Sequence, residues 1–161
     1  VALVTPTPFF FNLSIKENLL IVNSEEDEMF KVCEELGIND EIKALPNGFD
    51  TIINDNINTE LKSMLAIARV LLKKTKVIII ADLLFELDQQ NFDLVLKYLK
   101  KMAENHTIII LGRELDTCNI SDKIVVLDKN EIKEIGTHEE LIKNRGFYYN
   151  NFYNYGNKKE K

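Results

Sequence analysis

The side chains that could do chemistry in this chain are few and lie far apart. Cys33 and Cys118 match no metal-ligand spacing, and we expect buried or half-buried thiols of a reducing compartment rather than a disulfide. His106 comes just before an apolar run, and His138 lies in the pattern Thr-His-Glu-Glu, which is a helix capping box. Local structure therefore explains both histidines better than metal binding or catalysis does.

Two carboxylates stand in more suggestive places. Asp82 directly follows the β-branched run Val77–Ala81, and Asp88 precedes a stretch with helical periodicity. A carboxylate at the end of a buried strand is either a site residue or only the first polar residue after the strand. Asp88 has the residue type that caps helix N-termini. Neither side chain identifies an activity until the elements around it are known.

The composition is that of an ordinary globular chain of one domain. Hydrophobic residues make up 45% and charged residues 29%, which excludes collagen-like, low-complexity and wholly disordered classes. The net charge of −6 opposes a phosphate backbone, so we expect no nucleic-acid partner. No apolar run approaches the ~20 residues that span a bilayer. The start at Val1, without a basic and then apolar leader, predicts a fragment or processed chain and not a signal peptide.

The apolar pattern predicts an α/β organisation. The runs Val77–Ala81 and Thr107–Leu111 are continuous and β-branched, which is typical of parallel strands buried on both faces. The helical stripe over 92–102 between them suits a right-handed crossover. Residues 1–11 predict a further strand that ends in a loop, because Pro6 and the second proline withhold ladder donors.

Local signals define the remaining elements of the first two thirds of the chain. Ser24 is expected to cap a helix that opens with four acidic residues and stops at Gly37. Residues 45–48 (LPNG) predict a turn. A broad apolar face over 61–72 predicts a helix that ends in two lysines.

The last third predicts a hairpin and a short helix. Residues 124–135 form a hairpin pattern around a turn at which Asn130 can take the left-handed conformation. Thr137 opens the capping box of a helix that ends near Gly146. The tail, 147–161, interleaves aromatics with asparagine before a basic end, and packing onto the sheet is the expected use of its aromatics.

The order and spacing of four motifs resemble the nucleotide-binding domain of ABC exporters. They are LPNGFDT at 45–51, AIAR at 66–69, Leu-Asp at 87–88 and GTHEEL at 136–141. The resemblance covers nearly the whole chain. It implies a RecA-like, P-loop NTPase-type fold: a mostly parallel sheet with helices on both faces, plus a small α-helical subdomain.

The resemblance also implies a division of the chain. A strand and Q-loop region would occupy 1–11, the helical subdomain 12–60, part of the catalytic lobe 61–146, and the aromatic tail 147–161.

The same resemblance implies that most phosphate-facing positions are changed. No stretch matches the phosphate loop GxxxxGK[ST]. The Q-loop glutamine corresponds to Pro6, which has no side-chain ligand. The LSGGQ signature corresponds to 57–61, where Asn58 takes the serine position, glycine is absent and Glu60 would repel phosphate.

The catalytic pair is also incomplete under this resemblance. Asp82 falls at the position of the Walker B glutamate, with Ala81 where the metal-side acid belongs. A shift of one residue makes Asp82 the metal-side acid and Leu83 the base position, so one carboxylate is lost either way. The switch histidine corresponds to Gly112, and only Asp88 of the D-loop is kept. We assign no residue of the chain as a metal ligand.

The family implies Mg-ATP as cofactor, and we expect weak or no binding by this chain alone. Its implied partners are the transmembrane domains of an ABC exporter and a second nucleotide-binding domain, at the cytoplasmic face of a membrane. Three functions follow: a degenerate coupling domain that does not hydrolyse ATP by itself, an ordinary ABC ATPase that is weakly active with a partner, and a stand-alone interaction module using the aromatic tail.

One expectation concerns the sheet itself. In the family the phosphate-loop strand lies centrally, so Ile78–Ala81 and Thr107–Leu111 should lack their usual neighbour and expose unpaired edges. We therefore expect marginal stability, or closure of the sheet by rearrangement or by another chain.

Overall fold

The structure is a computed structural model that describes residues 1–54, 56–84, 87–112 and 115–153, with the side chains of 152 and 153 outside this description. Two compact units divide the chain, 1–112 and 113–161. The first unit contains β1 (Ala2–Val4), α1 (Ile15–Leu20), α2 (Glu26–Glu35), α3 (Asn39–Ala44), a 3-10 turn (Gly48–Asp50), α4 (Thr59–Leu72), β2 (Val77–Ala81), α5 (Gln89–Ala103) and β3 (Thr107–Leu111). The second contains α6 (Leu115–Ile120), β4 (Ile124–Asp128), β5 (Glu131–Gly136), α7 (His138–Asn144) and a π-helical turn (Tyr149–Tyr153).

Three parallel strands form the sheet of the first unit in the order β1-β2-β3. Leu3 lies beside Ile79, and Ile79 beside Ile109. The α/β fold is therefore confirmed. The expectation that β2 lacks a neighbour is wrong, because β1 pairs along one side of β2 and β3 along the other. Within the described ranges, β1 and β3 are the edge strands of this sheet, so of the two strands named in the expectation β3 has an unpaired edge. Marginal stability stays a prediction.

One face of this sheet is buried at β1 and β2 and half-buried at β3. Ile78 and Ile80 of β2 are buried, whereas the alternate residue Ile79 is half-buried. On that second face Leu3 is 56% and Ile109 41% exposed. The prediction of strands buried on both faces is therefore wrong for β2 and β3. A continuous apolar run does not indicate which face of a strand the helices cover. In the structure α4 contacts β1, and α5 contacts β3.

Helix α4 is the centre of the core of the first unit. Ten of its 14 residues are buried, including Leu61, Met64 and Leu65. Helices α1 and α2 pack against it. A helix that is apolar nearly all round must be covered on several sides, and here the sheet and the small helices share that task.

The N-cap of helix α2 lies one residue later in the chain than the sequence predicts. Glu25, not Ser24, is the N-cap, and its side chain makes no capping hydrogen bond. The Asn23 side chain instead accepts a hydrogen bond from the Glu25 N–H at 3.1 Å. The acidic first turn and the stop at Gly37, whose φ is +71°, are as predicted.

The second unit follows its local signals closely. Strands β4 and β5 are antiparallel, and both Lys129 and Asn130 at the turn have positive φ, 48° and 61°. The Thr137 capping box is present, with Glu140 as its reciprocal partner. Tyr148 is buried in a small core with Val126 of β4 and Leu141 of α7.

The start of the aromatic tail thus packs on the hairpin. The remainder, 154–161, lies outside the described residues.

Burial of Cys33 gives a testable pH dependence of stability. Desolvation raises the pKa of this fully buried thiol from 9.0 to about 12. Its folded pKa lies above its unfolded value, so its contribution is complete below pH 9 and is lost as the pH rises from 9 toward 12. Over this window we expect the unfolding free energy to fall by about 1.4 kcal/mol per pH unit on account of Cys33.

The measurement is urea unfolding between pH 8 and 11 of the wild type and of Cys33→Ala. The variant removes the ionisable group, so its stability should fall with pH less steeply, whatever the cost of the smaller side chain. Tyr98, whose pKa is also raised to about 12, is present in both proteins and cancels. Equal slopes for the two proteins would contradict the assignment to Cys33.

Candidate functional site

The three strands of the first unit end at one edge of the sheet. In open α/β sheets ligands bind outside the carboxyl ends of the strands. Pro6 follows β1, Asp82 follows β2 and Gly112 follows β3. The structure therefore brings three of the five sequence-predicted positions to the edge where a ligand site would be expected.

Asp82 is the only one of the three with a side chain that can act chemically. It is exposed and has a left-handed backbone, with φ of 48°. Its N–H donates to the Leu111 carbonyl at 2.8 Å, which ties the end of β2 to the end of β3. Its carboxylate has no hydrogen bond or ion pair with the described residues. Leu83, the base position under a shift of one residue, is fully buried and cannot face this edge.

The other two predicted positions, Asn58 and Asp88, are helix caps. Asn58 accepts a hydrogen bond from the Leu61 N–H at 2.7 Å at the start of α4, and its amide donates to Glu41 at 3.1 Å. Asp88 accepts from the Asn91 N–H at 2.8 Å at the start of α5. The N-cap role of Asp88 was foreseen. That of Asn58 was missed, although asparagine is among the best N-cap residues.

Glu60 links these two helix starts. One of its carboxylate oxygens accepts from the Asp88 N–H at 2.9 Å and from the Asn91 amide at 2.8 Å. A negative side chain at the N-terminus of α5 is favoured by the helix dipole. The predicted repulsion of phosphate by Glu60 is untested, and its observed contacts are structural.

The start of α4 and the strand edge are the two places where the described residues would meet a phosphate or a metal ion. A phosphate is held by open backbone N–H groups at a helix N-terminus, but at α4 the side chain of Asn58 occupies the Leu61 N–H. The strand edge offers the single carboxylate of Asp82, between a proline and a glycine. No group of three or more acidic, histidine or cysteine side chains suited to a metal ion exists in the described part of the chain.

A second surface, formed by residues 9–13 and Ile52, is apolar and exposed. Phe9 is 69% and Phe11 47% exposed, and their rings meet edge-to-face with centroids 5.2 Å apart. Leu13 and Ile52 extend this apolar surface. Exposed apolar patches of this kind mark sites of interaction.

Asn18 and Arg69 hold this segment in place. The buried Asn18 amide group donates to the carbonyls of Phe11, Leu13 and Ser14 at 3.0, 3.1 and 3.0 Å. Its oxygen accepts from the Phe11 N–H at 2.9 Å. Arg69 donates to the Phe9 carbonyl at 2.6 Å and lies 4.7 Å above the ring centre of the neighbouring phenylalanine. Neither role was predicted from the sequence, since each depends on contacts with backbone carbonyls.

The parallel sheet, the helices packed on α4 and the site at the strand ends define part of a RecA-like nucleotide-binding domain. No family model matches the sequence. The chain is 35% identical over 155 residues to an ABC multidrug transporter of Aspergillus fumigatus, covering 92% of this chain and 12% of the transporter. It is also 35% identical over 154 residues to P-glycoprotein 14 of Caenorhabditis elegans, with the same coverage.

A solved structure agrees with these relatives. The fold matches a bacterial Atm1-family ABC exporter with ATP bound, with a TM-score of 0.86 and 27% identity, over 92% of this chain and 27% of that one. The chain is therefore a partial nucleotide-binding domain of the ABC exporter type, as the motifs predicted. It spans 12% of the length of each of these two relatives. In the described part of the chain, no helix combines the length and the apolar content needed to cross a bilayer.

Proposed function

We propose that this chain couples a nucleotide-driven dimer to membrane transport and does not hydrolyse ATP by itself. The observation that carries the proposal is the chemistry of the strand edge. Of Pro6, Asp82 and Gly112, which follow the three strands, only Asp82 has a side chain that can act on a phosphate or a water. Hydrolysis needs a held metal ion and an oriented water. An exposed carboxylate without a partner provides neither.

Magnitudes support this proposal. Removal of one preorganised electrostatic group from an active site typically lowers the rate by about 10²–10³. Pro6 and Gly112 each replace such a group under the resemblance, and one of the two Walker B acids is also absent. Even if these losses are only partly additive, turnover by this chain alone would fall below ordinary detection.

The proposed partners are the transmembrane domains of an exporter and a second nucleotide-binding domain, at the cytoplasmic face of a membrane. The relative from Aspergillus fumigatus is an ABC multidrug transporter and the similar solved structure is an ABC exporter, which supports a membrane partner. The exposed Phe9 and Phe11 supply an apolar contact surface on the first unit. Since Asn18 and Arg69 fix the backbone of this segment, the surface is preorganised for binding.

We expect Phe9→Asp and Phe11→Asp each to weaken association with the transmembrane partner about tenfold or more. Truncating a well-packed aromatic anchor at an interface commonly costs 2 kcal/mol or more, roughly a 30-fold change, and aspartate adds a desolvation cost. The measurement is co-sedimentation of the chain with detergent-solubilised partner, over a range of chain concentrations.

Ile21→Asp is the matched control. Ile21 is 53% exposed at the end of α1, outside the 9–13 segment, and it also loses an exposed apolar side chain. It should bind as the wild type does. If all three variants bind equally well, the 9–13 segment is not the contact surface.

The second candidate is an ordinary ABC ATPase that gains weak activity from a partner. The exposed, unpaired carboxylate of Asp82 favours it, because such a group is available to a site completed by another chain. A stand-alone interaction module, the third alternative, has less support. Tyr148 at the start of the tail is buried in its own unit, and 154–161 lie outside the described residues.

A further inference from the structure

We propose that the cavity between β1 and α4 binds a small organic anion, with a carboxylate or phosphate head and an apolar body of a few carbons. The cavity has a volume near 320 Å³, at the lower end of the range for small-molecule sites. None of Pro6, Asp82 and Gly112 lines it. The proposal is therefore independent of the strand edge, although Phe9 and Arg69 also belong to the proposed contact surface and its support.

The charge of the lining points to an anion. Arg69 of α4 and Lys73, the residue that caps the C-terminus of α4, both line the cavity, and no acidic residue does. In a chain of net charge −6, a concave site with two cations and no carboxylate is a local exception. Such a site raises the local concentration of anions.

Both cations lack a counter-ion among the described residues. Three of the other lysines of this unit form ion pairs: Lys16 with Glu26, Lys74 with Glu28 and Lys101 with Glu35. Arg69 and Lys73 form no ion pair within 4 Å in the described ranges.

The Arg69 guanidinium is held ready for a ligand. One nitrogen donates to the Phe9 carbonyl, and the group stacks on the Phe10 ring. The remaining N–H donors have no hydrogen-bond partner among the described residues. The guanidinium is half-buried, and this partial desolvation lowers the pKa of Arg69. A fixed, partly desolvated guanidinium suits a planar carboxylate or a phosphate.

The walls select an anion with an apolar body. The apolar part of the lining consists of Val4 of β1, Val70 of α4, Val22 and Phe9. Inorganic phosphate would satisfy the cations but leave this surface in contact with water. A short alkyl chain on the anion would cover it, at a gain of about 0.8 kcal/mol per buried CH₂ by the usual transfer value.

The test is a titration of the 161-residue chain with hexanoate, hexyl phosphate, inorganic phosphate and uncharged hexanamide, followed by NMR. We expect hexanoate and hexyl phosphate to shift the same signals, those of Val4, Val70 and the Arg69 side chain. The tighter of the two identifies the preferred head group. Hexanamide and inorganic phosphate should each bind at least about tenfold more weakly, because each lacks one half of the recognised chemistry.

Lys73→Met should raise the dissociation constant of the preferred anion about five- to tenfold. Its side chain is exposed, so the fold should be kept. Lys76→Met, an exposed lysine outside the cavity, is the control and should bind like the wild type. Equal affinity for hexanoate and hexanamide, equal effects of the two lysine variants, or no shift at 20 mM anion (~20-fold above a millimolar constant) would each overturn the proposal.

Discussion

Mg-ATP titrated into the 161-residue chain should give no saturable heat in the micromolar range, with a dissociation constant above about 1 mM. A hydrogen bond to a charged group is worth about 1.5–3 kcal/mol. Losing three such contacts at the phosphates weakens binding by about 10³ or more. Within the described residues, backbone N–H groups that an anion could use are already bonded at two helix starts. Asn58 accepts from the Leu61 N–H at the start of α4, and Glu60 accepts from the Asp88 N–H at the start of α5.

The measurement is isothermal titration calorimetry of the chain alone, with turnover assayed in parallel. A 1:1 complex of micromolar affinity, or ATP hydrolysis by the purified chain, would refute the proposed function. Neither result would affect the anion cavity, which shares no lining residue with the strand edge. The two proposals therefore fail independently.

The variant Asp82→Asn distinguishes between the two candidate functions, a coupling domain that does not hydrolyse ATP and an ordinary ABC ATPase. In an assembly with a competent partner domain, the variant should leave the rate unchanged if this chain only couples. It should lower the rate about 10²-fold or more if Asp82 acts as a base in a shared site. Asp122→Asn, an exposed carboxylate in the second unit, is the charge-matched control.

The elements that local sequence determines were predicted well. The turn conformation of Asn130, the Thr137 capping box and the stop at Gly37 each depend on residues within one turn of the chain. The pairing of β2 with β1 was missed because it depends on a segment of only three residues, Ala2–Val4, far away in sequence. The exposed face of the sheet was missed because a β-branched run has the same composition whether one or both faces are covered.

The site was predictable in its positions but not in its contacts. Motif spacing brought Pro6, Asp82 and Gly112 to one edge, since parallel strands must end together. The roles of Glu60 and Arg69 could not be found this way, because each bonds to backbone or side chains about 30–60 positions distant. The partners of Asn18 lie closer in sequence. They were not predictable because Asn18 bonds to backbone groups, which every residue has, so no residue type indicates the contact.

Replacing Asn18 should destabilise the first unit more than any other single polar substitution that the described contacts suggest. Asn18 is fully buried, and it satisfies the Phe11 N–H as well as three carbonyls. Asn18→Ala leaves the Phe11 N–H without its partner in a part-buried position. We expect a loss of about 2–4 kcal/mol, since each unsatisfied buried group costs 1–3 kcal/mol.

Asn18→Asp should be worse at neutral pH, although it is nearly isosteric. The carboxylate would face the carbonyls of Phe11, Leu13 and Ser14 with acceptors only, and it would bury a charge at a fully buried position. Domains are stable by only about 5–15 kcal/mol in total. The variant should therefore be largely unfolded, or should keep α4 while residues 9–14 detach.

Urea unfolding and limited proteolysis distinguish these outcomes. Global destabilisation lowers the urea midpoint, whereas local detachment leaves the midpoint nearly unchanged and makes the 9–14 segment the first site of cleavage. Asn105→Asp, an exposed asparagine after α5, applies the same chemical change and should shift stability by no more than about 0.5 kcal/mol. If Asn18→Asp matches this control in both assays, the Asn18 network does not hold the aromatic segment, and the preorganised contact surface for a transmembrane partner loses its support.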